Sequence, residues 1–428
     1  MTLKSFDILQ PVLLRVCLSL VGLSSLLRSR MEVSSPPTSF DHIQDISFLL
    51  ESGTDPSSLP YFPAILLPFY EATGAKVLPA VLLGAFADGI SGCALYYLAL
   101  SLNFPTTQAV DVMTMFLWNP LSIASCVSGS TDPLRLCAIF AAAASAAAGT
   151  SLARAGACLA LALHFGSTWH LLLMSIPLIM LSLRKNTKTT RSSRPSDATH
   201  ATTTTTTRAA FTFLAGLIVT SAMLTIASLY LIHNKSPTVS TTMNMRHSCR
   251  REEAQPWSNI EPNVGLQWYL FAEVLPPFRY LYEYIFWALP AALCLSIALR
   301  FGQQSPLGVL VAQGIVLCML GRHPTYSNVM LWLGALPLVL LSLQKEGQNE
   351  KNKKRPSKHE AAGKHGKMWL AVGFCICLGL NTAAYELWLT LGTGNANFFY
   401  GMNLAWAAWQ ALALVHLLKS TSALEEDA

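Results

Sequence analysis

The chain has 428 residues, of which 52% are hydrophobic and only 12% charged, against about a quarter charged in an ordinary soluble domain. Apolar runs of about 18 residues or more recur along its length, which excludes a soluble globular domain and indicates an all-α, polytopic membrane protein. The net charge of +6 is concentrated in two basic loops, one at 184–208 and one at 345–367.

The first run, 8–27, predicts a retained first helix, because no small-residue cleavage site follows it and Arg15 lies in its middle. An arginine there either faces a partner or a wet cavity, or snorkels to the near interface. A long loop over 28–75 follows, with an amphipathic stretch at 40–50 that suits a surface helix. Residues 60–72 contain Pro60, Pro63 and Pro68. They are too few to span and are expected to be re-entrant or interfacial. A full span from Lys76 to Leu102 carries Asp88 in mid-membrane. That carboxylate needs a partner and fits a helix-packing role better than a reactive one.

Further runs follow at 108–127, 134–150, 152–166 and 168–183, and the Ala/Ser-rich part 139–148 suits close helix packing. After the basic loop come 209–233, a polar loop at 234–263, then 264–300, 305–321, 326–344, 368–391 and 396–418. The total is about twelve transmembrane helices in one integral membrane domain. With the N-terminus in the cytosol, six spans return 184–208 to the cytosol and ten return 345–367 there, as the positive-inside rule requires. The same parity places 28–75, 234–263, 322–326 and 392–396 on the lumenal face. Asn234-Lys235-Ser236 is a glycosylation sequon on that face, weakened by Pro237.

Nine of the ten cysteines lie in or beside apolar runs, and Cys249 alone lies in a long polar loop. No disulfide framework or metal site is expected. No catalytic motif, phosphate-binding loop or cofactor site is present in the sequence. A nucleic-acid role for the basic loops is the weaker reading, since such loops are cytosolic by charge alone. Three polar features stand out instead. Gly392–Tyr400 packs two glycines, Asn395 and Asn397, then Phe398, Phe399 and Tyr400 between two apolar runs. Residues 262–280 hold Asn263, Trp268, Tyr269, Phe271 and Glu273. An aromatic belt accounts for the rings, but not for the carboxylate. Arg322–Tyr326 is a tight turn, and its lone His323 reads as a solvated turn residue.

Several segments resemble the PIG-U family, the multispanning subunit of the GPI transamidase. They are Arg30-Met-Glu-Val-Ser-Ser-Pro36, Asp88-Gly-Ile-Ser-Gly-Cys-Ala-Leu-Tyr96, Asn119-Pro-Leu-Ser-Ile-Ala-Ser-Cys-Val127, Pro262–Glu273, Pro324-Thr325 and Gly394–Tyr400, in family order. The blocks at 262–273 and 394–400 are specific when taken together. The connection at 102–107 is short for that family, and Gln267 breaks an otherwise aromatic run. The resemblance implies a glycosyltransferase-C-like scaffold in the endoplasmic reticulum membrane, as in lipid-sugar mannosyltransferases. It implies a non-catalytic subunit that helps to present the GPI glycolipid, while a separate cysteine-protease-like subunit performs the transfer to protein. The expected lipid and glycan contacts are Asn395, Asn397, Phe398, Asn263, Trp268, Tyr269 and Glu273. Asp88, Arg15 and Glu32 are further polar candidates.

One alternative is a dolichol-phosphate-mannose-dependent GPI mannosyltransferase with Glu32 as its base, because such enzymes carry an acidic residue on the first lumenal loop. Arg30 beside Glu32 offers the plainer reading of an ion pair. A transporter would line a path with Arg15, Asp88, Glu273 and Glu386, but the sequence shows no clear inverted repeat.

Overall fold

The computed structural model describes residues 5–53, 63–74, 76–149, 151–166, 168–190, 198–235, 261–351 and 360–426. It is 84% helical, with no strand among the described residues. Ser236 of the sequon, Cys249 and parts of the two basic loops lie outside the described residues.

Helix is the fold these runs must adopt, since a backbone in hydrocarbon has to satisfy its own polar groups. In chain order the helices are α1 (Ser5–Leu20), α2 (Leu23–Arg28), α3 (Phe40–Glu51), α4 (Leu67–Ala72), α5 (Val77–Ser101) and α6 (Thr106–Leu117). Then come α7 (Pro120–Val127), α8 (Asp132–Ala148), α9 (Leu152–Gly166), α10 (Ser175–Thr190), α11 (Ala198–Lys235) and α12 (Gln267–Glu273). The last six are α13 (Arg279–Phe301), α14 (Pro306–Met319), α15 (Tyr326–Leu333), α16 (Leu336–Lys351), α17 (Glu360–Tyr385) and α18 (Ala396–Glu426).

Six stretches among the described residues are long and apolar enough to cross a membrane: Val77–Ser101, Thr206–Asn234, Pro276–Phe301, Tyr326–Lys345, Leu370–Thr390 and Ala396–Ser422. A seventh arises if α6 and α7, bent by 47°, are one broken span. The chain is therefore a multi-pass membrane protein, and the described residues hold six to seven membrane-length helices, which do not confirm the count of about twelve expected from hydropathy. The difference is one of length. Runs 134–150, 152–166 and 305–321 fold as helices of 17, 15 and 14 residues. At about 1.5 Å per residue these reach roughly 21–26 Å, short of a hydrocarbon core of about 30 Å. Prolines set the breaks. Pro120 ends the preceding helix because the residue before proline is pushed out of the helical region. Asn119 takes that extended conformation and caps α7 by accepting from the Leu121 amide at 2.9 Å.

The helices form two compact units. The first contains α1–α11 and α15. In it α3 presents Phe40, Ile43, Ile46 and Leu50, spaced for one helical face and fully buried, against Leu67 and Tyr70 of α4. The opposite face leaves Phe48 exposed. The alanines Ala142, Ala143, Ala146 and Ala147 of α8 are buried as expected for close packing. α9 and α11 approach still closer: a Cβ on Gly156 would lie 2.1 Å from the Phe213 carbonyl oxygen, and one on Gly216 would lie 2.1 Å from that of Ala153. Only glycine permits that crossing. α15 joins this unit through the Ser125–Ser327 hydroxyl bond at 2.8 Å and through Arg135, which bonds Asn328.

The second unit contains α12–α14 and α16–α18. Its inner helix is α14, buried on nearly every face. Gln313 of α14 donates to the Cys294 carbonyl of α13 at 3.1 Å. α17 and α18 run antiparallel, joined by the 391–395 turn. Trp409 donates to the Leu370 carbonyl at 2.9 Å, and Phe374, Trp406 and Trp409 pack ring on ring between them.

Candidate functional site

The second unit brings the two notable sequence blocks together. The first is built by Asn263. Its side-chain oxygen accepts from the Gly265 amide at 2.8 Å, and its amide nitrogen donates to the carbonyls of Glu261 and Arg322, each at 3.3 Å. This pins the 261–266 loop against the Arg322–Thr325 turn. Gly265 is required there, since a Cβ would lie 2.7 Å from the Pro324 ring. Gln267 then donates to the Leu320 carbonyl at 2.7 Å. The residue that interrupts the aromatic run is thus the one that anchors it. α12 follows for two turns and stops where Val274 becomes extended ahead of Pro276-Pro277.

The second block is a tight reversal. The end of α17 widens into a π turn over Glu386–Thr390. Gly392 takes the left-handed conformation at φ 66°, which costs glycine nothing. The amides of Thr393 and Gly394 both donate to the Leu387 carbonyl, at 2.8 and 2.9 Å. The side-chain oxygen of Asn395 accepts from the Phe398 amide at 2.8 Å, the hydrogen bond of a helix N-cap at the start of α18.

Aromatic rings join the blocks. Trp268 stacks on Trp388 with centroids 5.7 Å apart and also meets Phe399 at 5.9 Å and Tyr400 at 6.2 Å. Tyr269 stacks on Tyr400 at 4.4 Å, and its hydroxyl donates to the Asn397 side-chain oxygen. The Tyr269 phenol is held above its ordinary range, first by desolvation and then by the negative charge of Glu273. Asn395, Asn397, Phe398 and Glu273 are exposed, and Tyr269 is half-buried. The outcome is a rim with an amide edge, an aromatic floor and one exposed apolar ring. The amide nitrogens of Asn395 and Asn397 can still donate outward, and ring faces of this kind suit the apolar face of a sugar.

Asn263 and Trp268 are only 2% and 4% exposed, so they hold the rim from beneath. The remaining candidates lie in the first unit. Arg15 and Asp88 pair with each other at 2.9 Å. Glu32 pairs with Arg30 at 3.1 Å, and its backbone carbonyl accepts from the Tyr326 amide at 2.8 Å. Among the described residues no group of histidine, cysteine and carboxylate side chains could hold a metal ion. Sequence reasoning passed over Trp388, Asn381 and Asn403. The two asparagines carried a usable signal, because an amide within an apolar run needs a partner.

An all-helical, multi-pass chain with these paired blocks defines a polytopic α-helical membrane protein. The family model described as "GPI transamidase subunit PIG-U" matches residues 9–406, and the chain belongs to that family. It is 24% identical over 410 residues to the GPI transamidase component GAB1 homolog of Schizosaccharomyces pombe, covering 93% of this chain and 88% of that protein. To the human GPI-anchor transamidase component PIGU it is 22% identical over 156 residues, covering 36% of this chain and 32% of the human protein. To GAB1 of Saccharomyces cerevisiae it is 24% identical over 173 residues, covering 40% and 39%.

Proposed function

We propose that this chain is a non-catalytic subunit of a GPI transamidase in the endoplasmic reticulum membrane. It holds the GPI glycolipid while a cysteine-protease-like partner subunit joins the lipid's amine to a protein C-terminus. The lumenal face carries the 28–75 loop, the 234–263 loop and the 392–400 rim, and the basic loops 184–208 and 345–367 face the cytosol. Asn395, Asn397 and Tyr269 face the glycan. Phe398 meets the boundary between head and acyl chains, and Glu273 stands beside the same rim.

The observation that carries this reading is the Tyr269–Asn397 hydrogen bond beneath two exposed amides. It fixes polar donors against stacked rings at the edge of apolar helices, the chemistry an acylated glycan requires. The test is Asn395→Lys or Asn397→Lys in cells lacking the native gene. Surface display of GPI-anchored proteins should fall while free GPI accumulates and the subunits still co-purify. A fall in display without accumulated GPI places the block upstream and removes this function.

A further inference from the structure

Asn403 lies near the N-terminal end of the apolar helix α18, two turns in, and is fully buried. Its amide nitrogen donates to two backbone carbonyls of the loop before α12, Asn263 at 2.8 Å and Gly265 at 3.3 Å. Its oxygen accepts from the Asn381 amide of α17 at 2.6 Å. One side chain therefore ties three segments: α17, α18 and the 261–266 loop. Two turns separate Asn403 from Asn397, so the same helix that presents the rim is locked to the block carrying Trp268 and Tyr269.

The alternatives are costly. With an apolar residue at this position, the carbonyls of Asn263 and Gly265 and the Asn381 amide would each lose a partner in a buried setting, where an unpaired polar group is expensive. No other hydrogen bond among the described residues joins the 261–266 loop directly to α18. Tyr269 and Asn397 meet only after the loop has turned into α12. The loop's other anchor, Asn263 to Arg322, leads to a different turn.

We infer that Asn403 is a positioning residue for the rim: its two donated hydrogen bonds set the register between α18 and the 263–269 block, and thereby the Tyr269–Asn397 contact. It touches no ligand and acts through the backbone of Asn263 and Gly265. This rests on the rim being the glycolipid-facing site proposed above.

The experiment uses the full chain in its purified complex with Asn403→Leu, which removes both donated bonds, and with Asn403→Asp, which keeps size and replaces the two N–H donors by at most one O–H. Hydrogen exchange is read across all peptides, and surface display of a GPI-anchored reporter is read in cells. Loss of one such bond corresponds to about fivefold faster opening. The expected result is that increase confined to 261–273 and 395–400 in both variants, with reduced display. Unchanged exchange in these peptides overturns the inference, and so does an equal increase throughout the chain in both variants, which marks a general stability residue. Faster local exchange with normal display leaves the positioning role standing and counts against the rim as the glycolipid site.

Discussion

Arg15 of α1 and Asp88 of α5, 73 residues apart in sequence, form a 2.9 Å ion pair with essentially no exposure. The guanidinium also donates to the Pro11 carbonyl at 2.9 Å and to the Ser122 hydroxyl at 2.8 Å, and Ser122 in turn donates to Asp88 at 3.1 Å. Arg15 therefore does not snorkel. The cluster binds α1, α5 and α7 through groups that none of the three could bury alone.

Removing one partner leaves the other charge buried and uncompensated, which costs about 3–5 kcal/mol. Arg15→Leu and Asp88→Leu should each lower thermal stability of the detergent-purified protein sharply. The double variant Arg15→Leu/Asp88→Leu should recover much of the loss, because the charges disappear together. Additive losses in the double variant would show that the pair is not the coupled unit the geometry describes.

Gly265→Ala places a methyl group 2.7 Å from the Pro324 ring, which is too rigid to turn aside. Overpacking of this kind costs about 1–3 kcal/mol. Gly401→Ala on α18 has open space around its Cβ and should be neutral or slightly stabilising, as expected for alanine over glycine in a helix. Thermal melts of the two variants, compared side by side, check the contrast.

Tyr269→Phe keeps the ring stack with Tyr400 and removes the hydrogen bond to Asn397. A net bond of this type is worth about 1 kcal/mol. Display of a GPI-anchored reporter should fall less than in Asn397→Lys, with chain abundance unchanged. Flow cytometry with parallel immunoblotting measures both, and a defect as deep as that of the lysine variant would mean the ring itself is displaced.

Glu32→Gln separates the subunit from a mannosyltransferase. Glu32 is buried beside Arg30 at 3.1 Å, so the substitution should weaken local packing and leave GPI glycans at full length. Mass spectrometry of the accumulated glycolipids decides the matter: truncated glycans would identify Glu32 as a catalytic base.

The sequence by itself determined the class, because hydropathy acts residue by residue along the chain. Runs of apolar residues had to become helices, whereas 108–127 and 264–300 read as single runs, and it is the structure that breaks them at Pro120 and Pro276-Pro277. The sequence also marked Asn395, Asn397 and the 262–273 block as unusual, since amides and carboxylates beside apolar runs stand out locally. Helix length was less legible. A run such as 305–321 looks membrane-long until Ser305 caps its start, accepting from the Gly308 amide at 3.2 Å, and the helix closes at Met319.

Partnership was decided only by the tertiary structure. Arg15 and Asp88 were each conspicuous, but nothing in either segment names the other. Gln267 read as an interruption until its amide was found on the Leu320 carbonyl. Asn403 drew no notice within its apolar run, and the structure places its amide on the 263–265 backbone. The physical reason is common to these cases. A buried polar group declares in sequence that it must be satisfied, but the group that satisfies it is chosen by packing across residues far apart in the chain.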